Sequence, residues 1–180
     1  MSGSEGIVSE TAETDQARSP ALALAWIADR LEERGIAWRI TGGLAARAHA
    51  RTPTLVRPLA DIDIEVPDEA IAALLPVIAP FVVYGPARFQ DENWDLLLCT
   101  LDYHGQMIDL CGGSTCRIFD AAAGLWRDDP FLPGDFVLRD VLGRRCPVVH
   151  LAALIAYKRC LSRDVDRADI ALLTGIDPSA

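Results

Sequence analysis

Apolar positions along the chain repeat with two different periods. Leu22, Leu24, Trp26, Ile27 and Leu31 follow Pro20 and precede Gly35. That spacing, with proline in the first turn, predicts a helix. Ile36 to Thr41 predicts a short strand, Gly42-Gly43 a break, and the alanine-rich Leu44 to Ala50 a second helix. Asp61 to Val66 alternates polar and apolar residues, the period of a strand with one face in a core. Pro67-Asp68 opens a helix that runs through Leu74 and Leu75 to about Ala79.

Phe81 to Tyr84 is a short β-rich run. Trp94 to Leu101 and Gln106 to Cys111 read as strands joined by a hairpin turn at Asp102-Tyr103-His104-Gly105. Three stretches read as loop or irregular chain: Arg51 to Leu59 with its two prolines, Gly112-Gly113-Ser114, and Ala121 to Gly143. His150 to Leu161 and Asp164 to Leu173 predict two closing helices, and no internal repeat is present. The order of elements predicts an α/β (α+β) fold, a mixed β-sheet flanked by helices. A single domain is expected over 20–180, after a leader over 1–19 expected to be disordered.

Composition narrows the function classes. The chain has 180 residues, 51% apolar and 24% charged, which suits one globular domain with a real core. The longest oily run, Ile71 to Tyr84, is short and broken by Pro76 and Pro80, so no membrane span is expected. The acidic, polar start lacks the apolar segment of a signal peptide, and a cytoplasmic location is expected. The net charge is −9, and −6 without the first 18 residues, which argues against nucleic-acid binding by bulk electrostatics. Five scattered cysteines contain no Cys-x-x-Cys pair, so reduced thiols are expected rather than structural zinc.

The chemistry is concentrated between Ile40 and Ile64. Asp61 and Asp63 lie two apart on a strand, so both carboxylates leave one face while Ile62, Ile64 and Val66 enter the core. Two such carboxylates repel, at ~4 Å by several kcal/mol in a protein-like dielectric, unless a cation joins them. An oxygen-rich site of this kind suits Mg²⁺. Asp109 stands among apolar neighbours in Met107-Ile108-Asp109-Leu110. It reads about equally as a third ligand of a two-metal site or as a solvent-facing strand acid. Gly42-Gly43, between a strand and a helix, allow a phosphate to approach the backbone and the N–H groups of the helix start.

This order of residues resembles the DNA polymerase beta-like nucleotidyltransferase superfamily. Within it the resemblance is to small bacterial enzymes: the aminoglycoside and lincosamide adenylyltransferases and the toxin-type nucleotidyltransferases. The residues that carry it are Gly42-Gly43-Leu44-Ala45, His49, Arg57, Asp61-Ile62-Asp63 and the later Asp109. Lys158 and the Arg163-Asp164 to Asp169 segment add to it.

The resemblance implies a nucleotidyltransferase fold with a short C-terminal helical segment, with Asp61, Asp63 and Asp109 as catalytic metal ligands for Mg²⁺ and Asp109 also as general base. It implies nucleotide contacts from Thr41, Gly42, Gly43, Arg57 and Lys158, with Asp164 and Asp169 orienting Lys158 or Arg163. Many relatives have Ser where Gly43 stands and Thr where Leu59 stands, so Thr41 or backbone donors must take over the serine's role.

The activity so implied is transfer of a nucleoside monophosphate from an NTP, ATP first among them, to a hydroxyl acceptor with release of pyrophosphate. The acidic charge favours a cationic small molecule over tRNA or a protein as acceptor. The short C-terminal region leaves room for a homodimer to complete an acceptor pocket. A second reading keeps the fold without turnover, as a nucleotide-binding or antitoxin-like partner. Trp94 reads as a core or rim residue, with stacking on a base as the alternative.

Overall fold

The computed structural model describes residues 19–50 and 59–175. Helix α1 (Pro20–Glu33) opens with the Ser19 hydroxyl accepting the Leu22 N–H, and Pro20 costs no hydrogen bond in the first turn. Its face of Ala23, Leu24, Ile27, Ala28 and Leu31 is fully buried. Strand β1 (Arg39–Ile40) leads into α2 (Gly42–His49), and β2 (Asp61–Val66) leads into α3 (Asp68–Ile78). A single 3-10 turn, Ala79–Phe81, then feeds β3 (Val82–Gln90) and β4 (Trp94–Tyr103). Next come β5 (Gln106–Asp120), β6 (Leu125–Asp128), β7 (Val137–Val141) and β8 (Arg144–Val148). Helices α4 (Leu151–Leu161) and α5 (Asp164–Thr174) close the described chain.

The strands form one mixed sheet in the order β3-β4-β5-β2-β1-β8-β7, with β6 paired to β5. At its centre β2 runs parallel to β5 and antiparallel to β1. The pleat divides the chemistry. Ile62, Ile64 and Val66 of β2, Ile108 and Leu110 of β5, and Cys99 and Leu101 of β4 share a core with the buried residues of α1 and α3. Asp61, Asp63, Glu65 and Asp109 leave by the other face, over which α4 and the start of α5 stand.

The fold is the expected α+β sheet with flanking helices, and the β2 strand has the expected limits. The hairpin turn is also where expected. His104 and Gly105 take φ of +52° and +85°, and the Gly105 N–H donates to Asp102.

Four segments differ, the first being the strand expected over Ile36 to Thr41, of which only Arg39–Ile40 is strand. Gly112-Gly113-Ser114 is not a loop but the middle of the long β5, because the glycines make room for packing. A Cβ on Gly113 would stand 2.2 Å from the Cβ of Phe131, and one on Gly112 would stand 2.9 Å from that of Leu97. The run at Phe81 extends through an exposed edge strand to Gln90. Ala121 to Gly143 holds β6 and β7, both largely exposed, so no apolar alternation marks them. The expected leader lies outside the described residues, as does Arg57. Among the described residues no helix is long and apolar enough to cross a membrane.

Candidate active site

Parallel pairing of β2 and β5 places Asp63 directly opposite Asp109, with Asp61 one pleat away on the same face. One carboxylate oxygen from each of the three lies within 4.8 Å of the others. Burial pushes the Asp63 carboxyl up to about 7, helped by the charges of Asp61 and Asp109. Lys158 and an N–H of Gly43 pull it the other way. Asp109 is also raised, by burial first and by Asp61, against the hydrogen bond it receives from Thr100. That bond runs from Thr100 Oγ1 to Asp109 Oδ1 at 2.6 Å. Three partly buried carboxylates converging on one point have the donor set of a divalent-cation site, and a cation would relieve their repulsion.

Thr100 was not singled out in the sequence. The signal was there: the hairpin turn pairs Tyr103 with Gln106, and counting back along that ladder sets Thr100 against Asp109.

The glycine bend meets the acids directly. Gly42 has φ +62°, and a Cβ on it would fall 1.9 Å from Asp63 Oδ2, so no larger residue fits while that carboxylate keeps its place. The Thr41 N–H donates to the Asp63 carbonyl at 3.0 Å. Thr41 starts α2 without capping it by its side chain, and it lines the cleft with Gly42 and Gly43. The Gly43 N–H is turned toward the Asp63 carboxylate, so the bend orients that acid as well as framing the cleft.

The far wall comes from α4 and α5. Lys158 is 2% exposed, with Nζ 2.8 Å from Asp169 and 3.4 Å from Asp166. Asp169 therefore holds Lys158 as expected, but Asp164 does not; it faces solvent and pairs with Arg167. Asp166 takes its place, because it is the one residue of the first turn of α5 that is fully buried. Arg163 binds Asp166 through Nε at 2.7 Å and Nη2 at 3.0 Å, and its guanidinium lies over the Trp94 ring at 4.5 Å. Trp94 Nε1 donates to the Tyr157 hydroxyl at 2.8 Å. The expected core-or-rim role of Trp94 fits this packing.

The cleft encloses about 390 Å³ and continues past the acids to Glu65, Cys111, Cys116 and Asp129. Glu65, the third acid on this face of β2, is ion-paired with Arg39 opposite it on β1 and so stands apart from the triad. Burial pushes the Cys116 thiol up to about 12 and Cys111 well above the usual range, so neither is a thiolate nucleophile at neutral pH. His49 contacts the Val149 carbonyl and His150 faces Asp135, away from the triad.

The fold these elements make is nucleotidyltransferase-like. It is shared with a candidate nucleotidyltransferase from Thermotoga maritima at TM-score 0.63 and 22% identity, covering 86% of this chain and 93% of that one. The lincosamide antibiotic adenylyltransferase LnuA, bound to lincomycin, matches at TM-score 0.58 and 14% identity over 90% of this chain and 99% of its own. ANT(2'')-Ia in complex with adenylyl-2''-tobramycin matches at TM-score 0.55 and 15% identity, over 88% and 90% of the two chains. No protein-family model and no curated protein matches the chain.

Proposed function

We propose that this cleft transfers a nucleoside monophosphate from an NTP, ATP in the first instance, to a hydroxyl group of a small-molecule acceptor. The observation that carries the reading is the convergence of Asp61, Asp63 and Asp109 within 4.8 Å beside the Gly42-Gly43 bend. The likeness in fold to two antibiotic adenylyltransferases supports it.

In this reading the acceptor oxygen attacks the α-phosphorus, the bond from that phosphorus to the β-phosphate oxygen breaks, and pyrophosphate leaves with the electron pair. Asp61, Asp63 and Asp109 would hold divalent cations, with Mg²⁺ suited to the all-oxygen donor set. When bound, such ions supply positive charge that offsets the α-phosphate and the departing pyrophosphate. The chain's own groups do the rest. Asp109 accepts the proton of the acceptor hydroxyl, and Thr100 holds the carboxylate in place through Oδ1. Thr41, Gly42 and Gly43 border the nucleotide's phosphates, where the lack of side chains on both glycines permits close approach. Lys158 places a buried positive charge next to Asp63 and favours its ionised form.

Calorimetric titration of MgATP into the wild type and into Asp61→Ala/Asp63→Ala tests the site: the wild type binds and the double variant does not. Equal heats in both would sink the proposal. Incubation with α-labelled NTP, Mg²⁺ and a panel of aminoglycosides, lincosamides and bulk tRNA tests the reaction and the acceptor together. The engagement of the Gly43 N–H by Asp63, in place of a serine hydroxyl for phosphate, favours one other reading, a nucleotide-binding protein without turnover. Nucleotide binding with no label transferred to any acceptor would select it.

A further inference from the structure

Two cations reach the cleft from the closing helices, and their surroundings differ. Lys158 has a side chain only 3% exposed and spends its ammonium on Asp166 and Asp169. Asp166, shared with Arg163, and Asp169 hold the ammonium, and a polyanion approaching from solvent would have to displace one of them. Arg163 has a side chain 35% exposed. One edge of its guanidinium, Nε and Nη2, is held by Asp166, and one face lies on the Trp94 indole. Among the described residues Nη1 has no hydrogen-bond partner, so the end of the fork remains free at the cleft wall.

A guanidinium fixed on one edge and one face loses little conformational freedom when its remaining edge binds an anion. The matching ligand group is a phosphate oxygen pair, which a planar fork holds through charge-assisted hydrogen bonds. The same packing bears on Trp94: the ring face that carries the guanidinium is not open to a nucleobase.

We propose that Arg163, fixed by Asp166 and Trp94, is the residue that binds the phosphate chain of the nucleotide, while Lys158 is a buried positioning residue that balances Asp63, Asp166 and Asp169. The inference rests on the nucleotidyl-transfer reading and gives the phosphate-binding role to a residue other than the lysine. Arg163 sits in the loop between α4 and α5, in the turn where Ser162 takes φ +53°, so the docking of the two helices sets its position.

The test is affinity for three probes in the presence of Mg²⁺: ATP, inorganic tripolyphosphate and adenosine. They are measured on wild type, Arg163→Gln, Arg163→Lys and Trp94→Phe, each checked for folding by its melting curve. Loss of one charge-assisted phosphate contact predicts about ten- to a hundred-fold weaker binding of ATP and tripolyphosphate by Arg163→Gln. Adenosine, which has no phosphate, binds all variants alike. Arg163→Lys recovers part of the loss, since it keeps the charge but not the fork, and Trp94→Phe falls between it and wild type.

Wild-type affinity for ATP and tripolyphosphate retained in a folded Arg163→Gln would overturn this inference and leave the nucleotidyl-transfer reading standing. A matching loss for adenosine would also overturn it, because the role would then be structural. Wild type that ignores both phosphate probes would overturn the two readings together. If Arg163→Gln fails to fold, Arg163→Lys carries the decision: phosphate affinity equal to wild type counts against the fork.

Discussion

Asp63 carries the strongest constraint on any single side chain in the site. Its carboxyl is pushed up to about 7 by burial and by Asp61 and Asp109, while an unfolded chain would ionise it near 3.8. The folded state therefore holds its proton to higher pH than the unfolded state does. This contribution to stability is fully present below about pH 4 and is lost as pH rises through about 7. Without divalent cation, Asp63→Asn should remove that loss and raise stability at pH 8 by on the order of a few kcal/mol. Denaturant titrations of both proteins across pH 4 to 8 check it, and parallel pH curves would count against the assignment. Divalent-cation affinity should rise over the same window, because binding needs the ionised acid.

Gly42 gives a second expectation at this scale. Gly42→Ala must accommodate a Cβ 1.9 Å from Asp63 Oδ2 at a φ of +62°. It should cost roughly 2–4 kcal/mol and weaken cation binding by displacing the carboxylate. Denaturation and a Mg²⁺ or Mn²⁺ titration read the two effects separately.

Among the elements, the pair α4 and α5 depends on charges buried between them. Lys158 sits between Asp166 and Asp169, and its removal leaves two buried carboxylates with less compensation. Lys158→Met should destabilise by roughly 3–5 kcal/mol. Adding Asp169→Asn to that variant should restore part of the loss; a double variant no more stable than the single would show that Asp169 is satisfied by other contacts.

The long strand β5 depends on two glycines instead. Gly113→Ala brings a Cβ against Phe131 and should cost roughly 1–3 kcal/mol in a denaturation curve of unchanged slope. These positions show why part of the element pattern was hidden. A glycine pair normally signals a turn, and only the approach of Phe131 from a distant segment makes it strand. The edge strands β3, β6 and β7 were obscured for the opposite reason: with little burial on either face, nothing forces their side chains to alternate.

For the molecule as a whole, the sheet works as an assembler of one cleft from distant segments. Because divalent cations would bind only the folded arrangement, they should stabilise it by mass action. At a hundred times the dissociation constant the gain is about 2.7 kcal/mol, which for a chain of this size is a rise in melting temperature of roughly 5–10 °C. Asp61→Ala/Asp63→Ala should show no such rise, and an equal shift in both proteins would place the cation elsewhere.

The sequence by itself determined the α+β class, the limits of β2, the hairpin turn between β4 and β5, and the facing of Asp61 and Asp63, because each follows from local period and turn chemistry. It also held the candidates for the site, since Gly42, Gly43 and the three acids are few and ordered. Only the tertiary structure decided which strand lies beside β2, and thus that Asp109 stands opposite Asp63. It likewise decided that Glu65 belongs to Arg39, and that Asp166 in place of Asp164 reaches Lys158. The reason is physical: strand pairing and helix docking are set by the packing of a shared core, and that packing fixes distances between groups far apart in the chain.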